Sequence, residues 1–241
     1  MQNLVLIPGL GSDAAVWSRT IDALGDDVHC TVSDTLKDNS LAGMAQRVLA
    51  EAPSRFCLAG LSMGGMVALE IMRVAPSRVT GLAIVDSNAF PDTSEQADQR
   101  RRTIAAVRAG VDLRDASQSS LNWLVHPDVD ADVKKEIVDM GVRVGADAYA
   151  RQIEAVLRRN DQRSVLASID VPTLVIAGAD DAMIPISCAQ AIKAAIPNAA
   201  LRIIPNCGHL PPIERPKETA DLLRELLAGV PAIKNEHAGR I

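Results

Sequence analysis

The stretch Ala59-Gly60-Leu61-Ser62-Met63-Gly64-Gly65 decides the fold of this chain. An apolar run at 55–58 precedes it and a helical pattern at 66–72 follows it, so a strand, a tight turn and a helix meet at Ser62. Glycine lacks a Cβ, and the Gly-x-Ser-x-Gly spacing therefore lets the strand and helix backbones come close together. The stretch predicts a serine hydroxyl held at the end of a strand, beside the first N–H groups of a helix.

The alternation of strand and helix continues on both sides of this stretch. Apolar runs typical of strands buried in a parallel sheet lie at 4–7, 28–32, 55–58, 79–86, 173–177 and 201–204. Helical patterns separate these runs, for example at 40–51, where Pro53 ends the pattern. Strands and helices in alternation predict an α/β fold, with a doubly wound, mainly parallel sheet of about six strands.

The alternation breaks in the segment 88–168, which is helical, polar and rich in arginine. Helical patterns there lie near 93–109, 115–125, 131–144 and 147–158, with no convincing strand pattern among them. We therefore predict an α/β core at 1–87 and 169–232, with an inserted helical cap at 88–168. A polar tail at 233–241 follows and is expected to fray.

Composition and charge exclude several classes of function. The chain is 48% hydrophobic with a formal net charge of −5, so it lacks the basic surface that binds nucleic acid or anionic membranes. Two tryptophans, two phenylalanines and one tyrosine are too few for a surface that stacks bases. Four cysteines without Cys-x-x-Cys spacing predict reduced thiols rather than a zinc site or a disulfide framework.

The start of the chain bears on its location. Met1 leads almost directly into the first predicted strand, without a charged leader or a long apolar run. We therefore expect a cytoplasmic protein with no membrane partner and no nucleic-acid partner. Whether it forms a homodimer stays open.

Two further motifs follow late strands, at the carboxyl ends where an open α/β sheet binds its ligands. One is the turn 178–185, Gly-Ala-Asp-Asp-Ala-Met-Ile-Pro, and the other is 206–212, Asn-Cys-Gly-His-Leu-Pro-Pro. A serine hydroxyl needs a base to take its proton, and that base needs a carboxylate to orient it and to stabilise its cation. The order Ser62, Asp181, His209 supplies a nucleophile, an acid and a base.

The chain resembles the serine hydrolases of the α/β-hydrolase superfamily, in the branch of small cap-bearing esterases, enol-lactonases and C–C bond hydrolases. The resemblance extends over nearly the whole chain and rests on four motifs: Pro8-Gly9-Leu10-Gly11, the serine turn, Gly178 to Pro185, and Gly208-His209 with Glu214 and Pro216. It implies that the N–H groups of Leu10 and Met63 form an oxyanion hole, and that neither a metal nor a cofactor takes part.

The chain departs from the family pattern at three places. Pro8 stands where relatives usually have a histidine before the glycine, and proline fixes φ and removes a donor. The N-terminal hairpin that many relatives carry is lacking. Two neighbouring aspartates, Asp180 and Asp181, compete at the acid turn, and Asp86 is a further rival because some members of the superfamily place the carboxylate after that strand.

We expect a serine hydrolase that cleaves a small ester or lactone through an acyl-enzyme. The alternatives are a ligand receptor on a hydrolase scaffold with slow turnover, and a C–C bond hydrolase or perhydrolase with the same triad. Trp17, Asn88 and Trp123 are candidate substrate contacts, although both tryptophans also suit the core. The arginines at 100–102 and 158–159 are typical of a solvated helix face, but either group would bind a carboxylate on a substrate.

Overall fold

A computed structural model of the chain describes residues 2–230, so the predicted tail at 233–241 lies outside the described residues. Six strands form one sheet in the order β2-β1-β3-β4-β5-β6, and every neighbouring pair is parallel. The strands are β1 Gln2–Ile7, β2 Val28–Val32, β3 Phe56–Leu61, β4 Val79–Val85, β5 Thr173–Gly178 and β6 Ala199–Ile204. The predicted α/β fold with a parallel sheet of about six strands is confirmed.

The strand order reverses between β1 and β3, and this point positions the site. β1 pairs with β3 in a register that places Ile7 opposite Gly60. The loop after β1 and the turn after β3 then leave the sheet side by side, and they lead to helices on opposite faces. Such a switch point is where open α/β sheets form a binding crevice.

Helices cover both faces of the sheet because strand residues alternate between the two faces. On one face, Val5 and Ile7 pack with apolar residues of α2, α3 and α8; on the other, Leu4 and Leu6 pack with those of α1 and α10. These helices are α1 Ala15–Leu24, α2 Leu41–Glu51, α3 Met63–Val74, α8 Ile186–Ala195 and α10 Pro216–Ala228. The strands β3 and β4 are buried along their whole length, as their unbroken apolar sequences predict.

Between β4 and β5 the chain forms helices and no strand: α4 Ser94–Arg108, α5 Leu113–Leu124, α6 Ala131–Leu157 and α7 Arg163–Leu166. α6 is interrupted at Gly145, whose φ of 75° and ψ of 161° are not helical. The predicted patterns at 131–144 and 147–158 meet at this break. Residues of α6 belong to both hydrophobic cores, with Ile137 in one and Val156 in the other, so the inserted helices pack into the body of the protein.

A short helix, α9 Pro211–Glu214, lies between β6 and α10. Within residues 2–230, no helix is both long enough and apolar enough to span a bilayer.

Candidate active site

Ser62 lies at the turn between β3 and α3 in a backbone conformation that is rare for a residue with a side chain, with φ 53° and ψ −114°. Strain of this kind costs on the order of 1–3 kcal/mol and persists only where the surroundings impose it. Two hydrogen bonds hold the turn: Ser62 N–H donates to Val85 O at 2.8 Å, and Ser87 Oγ donates to Ser62 O at 2.7 Å. A Cβ on Gly60 would lie 2.2 Å from Gly64 O, which explains why this turn needs glycine.

The three residues expected to form a triad lie together. His209 Nε2 is 2.9 Å from Ser62 Oγ, and His209 Nδ1 is 2.7 Å from Asp181 Oδ2. The side chains of His209 and Asp181 are only 3% and 2% exposed. In this arrangement a proton can pass from the serine hydroxyl to the imidazole, and the carboxylate can stabilise the resulting cation.

Backbone amides orient the Asp181 carboxylate. Its Oδ1 accepts hydrogen bonds from Met183 N–H at 2.7 Å and Ile184 N–H at 3.0 Å, while its Oδ2 faces His209. Burial opposes ionisation, but the hydrogen bond and charge of His209, together with the two amides, hold the pKa of Asp181 below its ordinary value. Asp181 is therefore a carboxylate throughout the neutral pH range.

The two rival aspartates do not contact His209 in this arrangement. Asp180 is exposed, and its Oδ2 is 4.0 Å from His126 Nε2. Asp86 is 2% exposed, and its two oxygens lie 3.0 and 3.2 Å from the N–H of Gly178. Burial, followed by repulsion from the Asp181 carboxylate, raises the pKa of Asp86 well above its ordinary value, so its neutral form is favoured.

The loop that carries His209 is anchored from two sides. Glu214 Oε2 accepts hydrogen bonds from Gly208 N–H and His126 N–H, both at 2.9 Å. The N–H of His209 itself donates to Leu124 O, at the end of α5, at 2.9 Å. The sequence contains Glu214 and Pro216 as a Glu-x-Pro motif, but it does not reveal that the glutamate accepts hydrogen bonds from two separate loops.

The predicted oxyanion donors flank the serine. Leu10 is in the loop after β1, and Met63 is the first residue of α3. Among the described residues, neither backbone N–H has a hydrogen-bond acceptor. The loop lies against the serine, because a Cβ on Gly9 would be 3.4 Å from Ser62 Cβ. Both amides are thus available to an oxygen bound beside Ser62 Oγ.

Gln152, on the second half of α6, holds this loop from the other side and was missed in the sequence. Its Oε1 accepts from Gly11 N–H at 2.8 Å, and its Nε2 donates to Thr35 Oγ1 at 3.2 Å. The side chain is fully buried. A glutamine within a helical pattern gives no signal of such a role, since its partners are remote in sequence.

Ser62 and His209 open into a cavity of about 210 Å³, which the inserted helices help to enclose. Trp123, a candidate substrate contact, is 47% exposed and lines this cavity. Most of the remaining lining is apolar, and it comprises mainly Leu10, Met63, Met66, Leu113, Leu124, Ile137, Met140, Val156, Ile184 and Leu210. The cavity thus suits a small, largely apolar ligand.

Two candidate substrate contacts lie elsewhere, which corrects the sequence-based assignment. Trp17 is fully buried on α1, where it packs in the core with Leu4 and Leu6 rather than at the cavity. Asn88 Oδ1 accepts from Phe90 N–H at 2.7 Å, which makes it part of a turn after β4. The spacing of apolar residues predicts that Trp17 lies on the apolar face of a helix, but it does not reveal that this face packs against the sheet.

The sheet, the strained serine turn and the Ser62–His209–Asp181 series define the class as a hydrolase with an α/β fold. Residues 2–230 hold no group of three or more histidine, cysteine, aspartate or glutamate side chains arranged to bind a metal ion. Residues 4–222 match the alpha/beta hydrolase family, and the chain belongs to this family, in its esterase-type branch.

Similar proteins support this placement. The chain is 30% identical to the pimeloyl-[acyl-carrier protein] methyl ester esterase of Edwardsiella ictaluri, over 95% of this chain and 94% of that protein. A thermophilic esterase from Thermogutta terrifontis superimposes with a TM-score of 0.87 at 26% identity, over 95% of this chain and 90% of that one. The enol-lactonase of Burkholderia xenovorans shares the fold, with a TM-score of 0.83 at 22% identity over 94% of this chain and 91% of that one.

Proposed function

We propose that this chain is a serine hydrolase that cleaves a small carboxylic ester through an acyl-enzyme. The observation that carries the proposal is the series of hydrogen bonds from Ser62 Oγ through His209 to Asp181, which begins at the wall of an apolar cavity. A serine hydroxyl is a weak nucleophile unless a neighbouring base accepts its proton, and His209 Nε2 lies within reach to do so.

In the acylation step, Ser62 Oγ attacks the carbonyl carbon of the ester and its proton passes to His209 Nε2. Asp181 stabilises the imidazolium cation and holds the ring in place. The tetrahedral intermediate collapses when the bond to the alcohol oxygen breaks, and His209 gives its proton to that oxygen. The alcohol leaves, and the acyl group remains on Ser62.

Deacylation repeats these steps with water as the nucleophile. His209 takes a proton from the water as its oxygen attacks the acyl carbon, and then returns the proton to Ser62 Oγ as the acid leaves. In both steps the free N–H groups of Leu10 and Met63 stabilise the negative oxygen, and one such donor is worth roughly 10²–10³ in kcat. A lactone would react in the same way, except that its alcohol stays attached to the acyl group.

The segment 88–168 acts as a cap that sets substrate choice in this proposal. It supplies Leu113, Trp123 and Met140 to the cavity, so the acyl group or the alcohol of the substrate must fit against them. An ester is the favoured substrate class because the Edwardsiella ictaluri relative is a methyl ester esterase and the Thermogutta terrifontis relative is an esterase.

The test compares the wild type with Ser62→Ala on a panel of short-chain esters and lactones. We expect repeated turnover by the wild type and a loss of about 10⁴-fold or more in kcat for Ser62→Ala, since only binding and the oxyanion donors remain. The matched control is Ser18→Ala, which makes the same change at an exposed position of α1 and should not affect kcat.

A covalent probe gives a second readout. An organophosphonate should label the wild type at Ser62 and leave Ser62→Ala unlabelled, as mass spectrometry of the digested protein would report. A wild type that releases one equivalent of product and then stops would be a receptor rather than an enzyme. Turnover by Ser62→Ala above a few per cent of wild type would contradict the role given to Ser62.

A further inference from the structure

The arginines at 100–102 on α4 do not share one environment. Arg101 and Arg102 are exposed and pair within their own helix, with Asp98 and Gln99 respectively, as expected for a solvated face. Arg100 lines the cavity that contains Ser62. Among the described residues that line this cavity, Arg100 is the only one with a permanent charge, and the lining includes no aspartate or glutamate.

The groups around Arg100 leave its charge only partly balanced. Asp92, 6% exposed, accepts from Arg100 Nε at 2.8 Å through Oδ2 and from Arg159 Nη2 at 2.8 Å through Oδ1. Arg159 is 2% exposed, and its other nitrogens donate to the carbonyl oxygens of Phe90 and Val156. One carboxylate therefore faces two guanidinium groups, and the cluster of Asp92, Arg100 and Arg159 carries one net positive charge.

Arg100 has hydrogen-bonding capacity to spare. Its Nε and Nη2 are used by Asp92, whereas its Nη1 has no acceptor among residues 2–230. Its side chain is 29% exposed, against 61% for Arg101. The guanidinium thus lies beside a mainly apolar cavity, partly exposed, and an anion that reaches its Nη1 would exchange water for a charge-assisted hydrogen bond.

We propose that Arg100 binds a carboxylate on the substrate, which is then an ester joined through an apolar chain to a free carboxylate. This inference rests on the proposed function, because Ser62 fixes where the ester lies. A single negative charge matches the one net positive charge of the cluster. A phosphate at the same place would bring a second charge into the cavity without a partner, which favours the carboxylate.

The test uses two substrates that differ only in charge: the monomethyl ester of a linear dicarboxylic acid and the methyl ester of the fatty acid with the same number of carbons. At neutral pH we expect the wild type to favour the monoester in kcat/KM. Arg100→Gln should lower kcat/KM for the monoester by roughly 10- to 100-fold and change it for the neutral ester by less than about twofold. Arg100→Lys should recover part of the loss, because it keeps the charge.

The matched control is Arg102→Gln, which removes a charge from the exposed face of the same helix and should leave both substrates unaffected. Thermal unfolding checks that Arg100→Gln is folded, as expected while Arg159 still pairs with Asp92. An equal loss for both esters, or no loss for the monoester, would overturn the carboxylate site while leaving the esterase assignment intact.

Failure of the esterase assignment has a different signature. If neither ester is hydrolysed by the wild type, calorimetric titration of the monoester into Ser62→Ala still decides the carboxylate site. Binding that weakens by roughly tenfold or more when Arg100→Gln is added would support the site, and equal binding with and without that substitution would overturn it. Tighter binding of a phosphate-bearing ester of equal length would show that the cavity accepts a dianion and would refute the carboxylate.

Discussion

The backbone N–H of Gly11 donates a hydrogen bond to Oε1 of Gln152 at 2.8 Å, although the two residues are 141 positions apart in sequence. Gly11 follows Leu10, whose N–H we assign to the oxyanion hole, and Gln152 lies in the second half of α6. The inserted segment thus fixes the loop after β1 directly. Pro8, at the start of this loop, has no N–H and cannot donate a hydrogen bond to hold the loop from within.

Gln152→Met removes the hydrogen bonds of this side chain to Gly11 and to Thr35 at nearly constant volume. We expect kcat to fall by roughly 10- to 100-fold, below or near the cost of deleting one oxyanion donor, because the Leu10 N–H is displaced rather than lost. KM should change by less than about threefold, since Gln152 does not line the cavity. Steady-state kinetics on one good ester would measure both.

Gln152→Glu keeps the acceptor for Gly11 N–H and, when its buried carboxyl is protonated, the donor to Thr35, so its kcat relative to that of Gln152→Met should rise as the pH falls. The control Gln118→Met makes the same change on the exposed face of α5 and should leave kcat unchanged. A melting temperature that falls for Gln152→Met while kcat stays at the wild-type value would reduce Gln152 to a structural role.

Asp181→Asn should lower kcat by about 10⁴-fold, the penalty that the same change carries in a well-studied triad. The asparagine oxygen would stay with the N–H groups of Met183 and Ile184, which turns its NH2 group toward His209 Nδ1, so the imidazole adopts the wrong tautomer or turns away. Asp180→Asn is a control one residue away, and we expect less than a twofold change because Asp180 is exposed. A greater loss at Asp180 than at Asp181 would reassign the acid.

Asp86→Asn should become more stable relative to the wild type as the pH rises. The folded-state pKa of Asp86 is raised, so the unfolded chain loses this proton first and the folded protein must keep it. The wild type therefore loses stability as the pH rises from about 4, where carboxyl groups of unfolded chains ionise, to the pKa of Asp86 in the folded state. The asparagine variant has no proton to lose at this position, so its stability does not fall for this reason. Urea unfolding of both proteins across this range measures the difference.

Activity gives an independent check on Asp86. The asparagine can still accept from Gly178 N–H, as one Asp86 oxygen does, so kcat at neutral pH should fall by less than about tenfold. A stability difference that is constant with pH, or one that shrinks as the pH rises, would mean that Asp86 is ionised in the folded protein.

Local sequence patterns were enough to predict the sheet and to select Ser62, Asp181 and His209, which the structure brings together. A continuous apolar run such as Leu4 to Ile7 predicts a buried strand without any knowledge of its neighbours. The glycines around Ser62 are required by contacts within the same turn. Asp181 and His209 were recognised because each follows a strand and therefore lies at the same edge of the sheet as the serine.

Residues whose role depends on remote contacts could not be predicted in this way. Gln152 sits in an ordinary helical pattern, and its partner lies on a loop at the other end of the chain. The sequence could not distinguish Arg100 from Arg101 and Arg102, because the packing of α4 on α6 decides which arginine faces the cavity. The sequence left Trp17 open between a substrate contact and the core for the same reason, since an apolar helix face can meet either a core or a ligand.

The last prediction concerns Glu214, whose carboxylate joins the histidine loop to the loop after α5 by accepting from Gly208 N–H and His126 N–H. Glu214→Ala leaves these two amides and that of Leu210 without their charged acceptor, which should cost about 2–4 kcal/mol of stability and lower the melting temperature by roughly 5–15 °C. Because His209 is the next residue after Gly208, kcat should fall as well.

Glu214→Gln separates the two effects, since its single oxygen can still serve the two amides that Oε2 accepts from, while Leu210 N–H loses its bond to Oε1. We therefore expect a smaller fall in both melting temperature and kcat than for Glu214→Ala. Glu218→Gln, an exposed change on α10, is the matched control and should alter neither quantity. If Glu214→Ala has the same melting temperature as the wild type, the carboxylate does not hold the loop. The position of His209 must then depend on its own hydrogen bond to Leu124 O and on its contact with Asp181.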